Sequence, residues 1–226
     1  MVNPPSALAS LNGLAAGLFL LSSFGLAATR QMQGCLRFFI LQSICLVMSA
    51  LLLAVGLHAP ELLAVAAVDL AIKPIIIPWL LRRTMREEIF RRREIDQVLN
   101  IPSSLLISLG LTLVAYFLTP MLPDATAPLA AINLPVGFAG LLVGAYTLAV
   151  RREAVPQLIG LFGIENGALF VGIAIAPALP LVAEMAFPFD MLIIAVVIGI
   201  LTRIIHERVG TTEVGAFTTL REGTGK

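Results

Sequence analysis

Long apolar runs separated by short polar segments set the pattern of this chain. A helix needs roughly 20 mostly apolar residues to span a bilayer, and the sequence predicts seven such helices. They cover residues 6–28, 36–57, 61–81, 102–122, 129–150, 156–178 and 187–206. Prolines such as Pro60, Pro102 and Pro156 stand near the ends of these runs, where a missing N–H does little harm. The pattern predicts an all-α, polytopic membrane helix bundle.

The order of the runs suggests an internal arrangement of three helices, a linking helix and three more helices. Arg30 precedes the second run much as the Arg151–Arg152 pair precedes the sixth. Two regions follow from this arrangement. Residues 1–100 would form an N-terminal three-helix region with a basic cytoplasmic loop. Residues 101–226 would hold the linking helix, a second three-helix region and a short cytoplasmic tail.

Composition supports a membrane location. The 226 residues are 58% hydrophobic and 13% charged, with a mean hydropathy of +0.97. A soluble domain usually carries about 25% charged residues, so the missing charge indicates a surface that faces lipid. The predicted surroundings are the lipid bilayer, and no nucleic-acid partner is expected.

The distribution of basic residues predicts the orientation. With the N-terminus outside, all but one of the 15 Lys and Arg fall in segments on the inner side. Basic residues concentrate in cytoplasmic loops of membrane proteins. We therefore expect a multi-pass plasma-membrane protein with its N-terminus outside and its C-terminus in the cytoplasm.

The longest polar segment, residues 82–100, alternates basic and acidic residues at helical spacing. One interpretation is a solvated surface helix whose arginines lie near lipid phosphates. The other is a docking surface for a cytoplasmic partner. The candidate docking residues are Arg86, Arg91, Arg92 and Arg93.

Two opposite charges lie within the third predicted helix. Asp69 and Lys73 are four residues apart and therefore share a helix face. Charges at membrane depth are costly and are often functional, so the pair is either a structural lock or a link in a proton relay. Pro74 and Pro78 follow, and are predicted to bend this helix.

Glu165 lies near the middle of the sixth predicted helix, with no basic residue nearby in sequence. A carboxyl group at that depth is a candidate for loading and releasing a proton. The alternative is a protonated side chain that serves only packing. Gly160, Gly163 and Gly167 would let a neighbouring helix approach closely, and Asn166 is placed to bond water or a facing helix.

Two further polar residues complete the predicted path. Asp190 lies near the outer end of the seventh predicted helix and is a candidate entry or exit group, or an interface residue. Gln42 lies at membrane depth in the second predicted helix. The predicted proton path is Glu165, Lys73, Asp69 and Asp190, supported by Asn166 and Gln42.

The sequence predicts no catalytic residue, metal site or redox centre in this chain. The cysteines, Cys35 and Cys45, are too far apart along one helix for a disulfide. The histidines, His58 and His206, lie near helix ends, whereas a zinc site needs three or four convergent ligands.

One segment resembles a known subunit family. The run 151–161, followed by Glu165 and Asn166, is similar to the second helix of the small K subunit of NADH:quinone oxidoreductase and its antiporter homologue. That helix carries two arginines, an Ile-Gly-Leu run and a buried glutamate. Here Phe162 stands where that glutamate would follow, and Glu165 comes about one turn later. Asp190 is the nearest counterpart of the second buried glutamate of that family.

The chain as a whole resembles the hydrogenase-4 component E family, membrane subunits of formate hydrogenlyase-type complexes. The resemblance rests on Gln42, the Lys73–Pro78 helix, the Glu165-Asn166-Gly167 motif, Asp190 and the basic C-terminal end. It implies a K-like region within 101–226 and a non-catalytic subunit of a hydrogenase-4-type or related oxidoreductase complex, contributing buried charges to proton translocation.

The same resemblance implies the partners. They would be antiporter-like membrane subunits and a peripheral hydrogenase-type arm, with nickel–iron and iron–sulfur centres held in those partner subunits. Three alternatives stay open from the residues alone. They are a structural scaffold, a subunit of a cation/proton antiporter-like complex without hydrogenase, and a small stand-alone transporter.

Overall fold

The computed structural model describes residues 4–84, 95, 98–121, 129–175, 193–197 and 200, and these ranges hold helices and connections without a β-strand. The helices are α1 (Pro4–Ala28), α2 (Met32–Leu57), α3 (Glu61–Ala71), α4 (Ile77–Thr84), α5 (Ile101–Leu118), α6 (Asn133–Val150) and α7 (Ala154–Ile175). A π-helical turn, Ile72–Ile76, joins α3 to α4, and a 3₁₀ turn, Thr119–Met121, ends α5.

Six helical spans are long and apolar enough to cross a membrane. They are Ala7–Ala28, Met32–Leu57, Glu61–Arg83, Ile101–Met121, Asn133–Val150 and Ala154–Ile175. They confirm the first six predicted helices and an all-helical, multi-pass membrane protein. The seventh predicted helix, 187–206, lies mostly outside the described residues, of which 193–197 are helical. The arrangement of three, one and three helices stays a prediction.

Local sequence explains where α2 ends. His58 adopts a left-handed backbone with φ of 55°, and its N–H donates to the carbonyl of Ala54. Pro60 then follows and has no N–H to continue a ladder. The start of α2 differs from the prediction: the helix begins at Met32 rather than near residue 36, because Met32 and Cys35 are buried in its first turn.

Two apolar clusters fill the bundle, one toward each end. The Phe19 cluster is centred on Phe19 and Phe170, whose ring centroids are 4.4 Å apart. The Phe39 cluster is centred on Phe39 and Phe162, with centroids 5.3 Å apart. Along α1, α2, α3 and α7, polar residues occupy the stretch between the two clusters. We call them the polar layer: Ser23, Gln42, Ser43, Asp69, Glu165 and Asn166, all buried.

Helices α6 and α7 pack at backbone contact. A Cβ atom added to Gly144 would lie 2.5 Å from the backbone nitrogen of Ile164, and one added to Gly160 would lie 2.7 Å from that of Leu148. Only glycine allows so close an approach. The sequence predicted a closely packed neighbouring helix for Gly160, Gly163 and Gly167. The structure confirms it: these glycines lie on α7, and the neighbour is α6.

Several basic connections meet at one end of the bundle. The backbone N–H of Ile95 donates to the carbonyl of Arg30 at 2.7 Å, and that of Val98 donates to the carbonyl of Val150 at 3.3 Å. Leu81, near the end of α4, belongs to the same Phe39 cluster as Ile95. The α1–α2 and α6–α7 connections and the end of α4 consequently lie on the same side of the bundle.

Candidate functional site

Lys73 lies between two carboxylates inside the bundle. Its Nζ is 3.2 Å from Asp69 Oδ2 and 2.9 Å from Glu165 Oε1. Lys73 is 0% exposed, Asp69 is 2% exposed and Glu165 is 6% exposed. Asp69 and Glu165 both belong to the polar layer, so this ion-pair cluster occupies the stretch between the Phe19 and Phe39 clusters.

The backbone around Lys73 departs from a regular α-helix. Pro74 has no N–H to donate, and the N–H of Ile77 reaches back five residues to the carbonyl of Ile72. Such a π turn inserts one extra residue into a turn of helix and is frequent at functional sites. The sequence predicted a bend at the two prolines. The structure accommodates Pro74 within the π turn, and this turn carries Lys73.

The cluster has two carboxylates for one ammonium group. Asp69 Oδ1 and both oxygens of Glu165 have no hydrogen bond of good geometry among the described residues. The Lys73–Glu165 contact is thus an ion pair without good hydrogen-bond alignment. With every group ionised the cluster would carry one excess negative charge, which is costly away from water.

A chain of amide and hydroxyl groups lies beside the ion-pair cluster. Asn166, next to Glu165, donates through Nδ2 to Gln42 Oε1 and to Ser43 Oγ, each at 3.2 Å. Gln42 Nε2 in turn donates to Ser23 Oγ at 2.8 Å. These contacts join α1, α2 and α7, and fix the rotation of the helix that carries Glu165.

A second polar group ties α1, α2 and α6 together. Ser49 Oγ donates to Asn12 Oδ1 at 2.6 Å, and Asn133 Nδ2 donates to Ser49 Oγ at 2.7 Å. Asn12 Nδ2 closes the ring on Asn133 Oδ1 at 2.9 Å. The sequence analysis missed this ring, although two asparagines within apolar runs were a signal for it.

Arg151 was also missed, because it was counted only as a loop charge. It is 2% exposed, and its Nη2 donates to the carbonyls of Leu26 and Thr29 at 2.8 and 2.7 Å. A cation that bonds the last carbonyls of α1 is favoured by the helix dipole. Burial lowers the pKa of the Arg151 guanidinium from its ordinary value.

The structure brings together five of the predicted path residues. Asp69, Lys73 and Glu165 form the ion-pair cluster, while Gln42 and Asn166 bond each other beside it. The remaining predicted residues lie outside the described part of the chain: Asp190, Arg86, Arg91, Arg92 and Arg93. Among the described residues, no group of three or more His, Cys, Asp or Glu is placed to hold a metal ion.

Fold and site together define a multi-pass helical membrane protein with a buried ion-pair cluster. The sequence is 29% identical over 208 residues to the uncharacterised protein Rv0085 of Mycobacterium tuberculosis. This alignment covers 92% of this chain and 94% of that protein. It is 26% identical over 216 residues to hydrogenase-4 component E of Escherichia coli. This alignment covers 91% of this chain and 95% of that protein.

These two similarities extend over nearly the whole of each chain, so the chain is a distant homologue of a protein named hydrogenase-4 component E. No family model matches the sequence. No solved structure matches it either.

Proposed function

We propose that this chain is a membrane subunit of a hydrogenase-4-type, formate hydrogenlyase-type or related oxidoreductase complex, in which its buried charges form part of a proton path. The observation that carries the proposal is the position of Lys73, which contacts Asp69 and Glu165 within the polar layer. The full-length similarity to hydrogenase-4 component E supports the class of complex.

Charge balance suggests what the cluster does. One ammonium between two carboxylates favours a state in which the cluster holds one additional proton, because an unpaired carboxylate is costly away from water. Interacting carboxyl groups titrate as a unit, so the proton belongs to the pair. Lys73 would stabilise whichever carboxyl group is ionised, and the proton would leave from the other.

The neighbouring amide chain would have a positioning role. Amide groups of Gln42 and Asn166 donate and accept hydrogen bonds but do not titrate. Their bonds to Ser23 and Ser43 hold α7 so that Glu165 faces Lys73. Asp190 remains the proposed entry or exit group on the outer side.

The orientation and the partners are part of the same proposal. The basic connections at one end of the bundle would face the cytoplasm, with the N-terminus outside and the C-terminus inside. Antiporter-like membrane subunits would contact the membrane helices of the N-terminal region, 1–100, and of the C-terminal region, 101–226. The peripheral arm, with nickel–iron and iron–sulfur centres, would dock near Arg86, Arg91, Arg92 and Arg93.

The test is the substitution Glu165→Gln in the assembled complex. The amide keeps the shape of the side chain and cannot release a proton, so we expect normal co-purification of partner subunits and reduced ion translocation by membrane vesicles. Glu61→Gln is the matched control, since it makes the same change at the start of α3, away from the ion-pair cluster. Unchanged translocation in the Glu165 variant would remove the proton role.

The co-purifying proteins test the class of complex separately. Nickel–iron and iron–sulfur subunits would support the oxidoreductase assignment. Antiporter-like subunits alone would favour a cation/proton antiporter-like complex without hydrogenase. The scaffold alternative predicts that Glu165→Gln has no effect on translocation, while Asp69→Asn disrupts assembly.

A further inference from the structure

The exposed side of the third membrane span ends in a tryptophan and two arginines. Trp79 is 55% exposed, and the Cζ atom of Arg83 lies 5.1 Å from the centre of its ring. Arg82 and Arg83 are both exposed on the last turn of α4. No carboxylate among the described residues is within ion-pair distance of either arginine.

The exposed side chains on this span follow the order of a bilayer. Leu63, Leu70 and Ile75 are exposed first, and Ile75 is 61% exposed. Trp79 comes one turn after Ile75, and Arg83 one turn after Trp79, at about 6 Å per step. Hydrocarbon favours the aliphatic residues, the interface favours tryptophan, and lipid phosphates favour arginine.

From this order we propose that Trp79, Arg82 and Arg83 form a binding site for the phosphate of an anionic phospholipid. The two guanidinium groups would bond the phosphate oxygens in pairs, and the Trp79 ring would pack against the glycerol region while holding Arg83 through a cation–π contact. A protein partner is less well supported, because the same face continues into a purely apolar stripe at Ile75, Leu70 and Leu63. The proposal is independent of proton translocation.

The chain offers a direct probe of this site, since Trp79 is the sole tryptophan. The purified full-length chain is reconstituted in phosphatidylcholine vesicles that contain acyl-brominated phosphatidylglycerol or acyl-brominated phosphatidylcholine at equal mole fraction. Bromine quenches tryptophan on contact. We expect stronger quenching by the anionic lipid, and a preference that weakens as salt is added to the unaltered chain.

Substitutions identify the arginines responsible. Arg82→Gln and Arg83→Gln should each lower the relative binding constant for the anionic lipid on the order of fivefold, whereas Arg83→Lys should keep most of the preference. Arg37→Gln is the matched control, because it removes an exposed charge from α2 at the same end of the bundle. Tryptophan emission and helical circular dichroism confirm that each variant is folded.

Four results would overturn the proposal. Equal quenching by both lipids at low salt would show that Trp79 only contacts lipid in general. Absence of quenching by either lipid would show that protein covers this face. An equal loss in the Arg37 control and the Arg83 variant would show that net charge alone sets the preference. If the glutamine variants do not fold, the salt titration on the unaltered chain decides, since a salt-independent preference contradicts a phosphate site.

Discussion

Lys73 Nζ lies 2.9 Å from Glu165 Oε1, although the two residues belong to helices that are far apart in sequence. This contact converts two separate membrane charges into one cluster with Asp69. It also sets the relative rotation of the third span and α7, since each helix must turn its charged side chain inward. Lys73 makes this contact from within the π turn Ile72–Ile76.

The first prediction concerns the energetic coupling of this pair. Lys73→Met removes the only ammonium group that contacts the two carboxylates among the described residues. Removing one member of a buried pair leaves an uncompensated charge and typically costs about 3–5 kcal/mol. We expect a matching loss of thermal stability in detergent, and partial recovery when Glu165→Gln is added.

Arg37→Met is the control for the lysine variant, because it removes an exposed positive charge from α2. It should change stability by less than about 0.5 kcal/mol. Strictly additive effects of Lys73→Met and Glu165→Gln would contradict the coupling, since residues in contact are expected to be non-additive.

The sequence was informative about helices and about pairs on one helix. Apolar runs of spanning length predicted the six observed membrane spans. The i, i+4 spacing predicted that Asp69 and Lys73 share a face, and the structure shows them 3.2 Å apart. The partner of Glu165 could not be found in this way, because a contact between distant helices depends on how they pack.

Burial of the other polar residues was equally hard to see. A run of apolar residues predicts that a helix spans the membrane. Its hydropathy does not show which polar side chain faces which neighbouring helix. Arg151 therefore passed as a loop charge, and the ring of Asn12, Ser49 and Asn133 went unnoticed. Asp190 lies outside the described residues, so its place in the path stays a prediction.

The second prediction concerns Arg151. Its Nη2 donates to the carbonyls of Leu26 and Thr29, and so holds the end of α1 against the α6–α7 connection. Hydrogen bonds from a charged group contribute about 1.5–3 kcal/mol each. Arg151→Met should therefore lower the unfolding temperature clearly, as measured in detergent, whereas Arg37→Met at an exposed position of α2 should have little effect. Equal effects would contradict a specific cap.

The third prediction separates stability from transport. Ser49→Ala breaks both hydrogen bonds that Ser49 makes to Asn12 and Asn133. Asn12 Oδ1 and Asn133 Nδ2 would each lose their bond to Ser49 inside the bundle, which should cost about 1–3 kcal/mol. Because this ring is separate from the Lys73 cluster, ion translocation per assembled complex should stay close to that of the unaltered chain. A selective loss of translocation in assembled complexes would show that the ring belongs to the path.

The fourth prediction concerns the backbone contact between α6 and α7. Gly144→Ala would place a Cβ atom 2.5 Å from the backbone nitrogen of Ile164, and backbone cannot yield as a flexible side chain can. The helices must separate, so we expect a loss of about 1–3 kcal/mol, typical of overpacking. Gly172→Ala is the control on α7, where the added Cβ meets no atom within 4 Å and helix propensity favours alanine.

Separation of α6 and α7 should also affect the ion-pair cluster, because Gly144 packs against Gly163 and Ile164, directly before Glu165. Gly144→Ala should therefore reduce both thermal stability and ion translocation, while Gly172→Ala should preserve both. Full translocation together with reduced stability in the Gly144 variant would show that Glu165 tolerates a shift of its helix. The strict position of Glu165 against Lys73 would then not be required for transport.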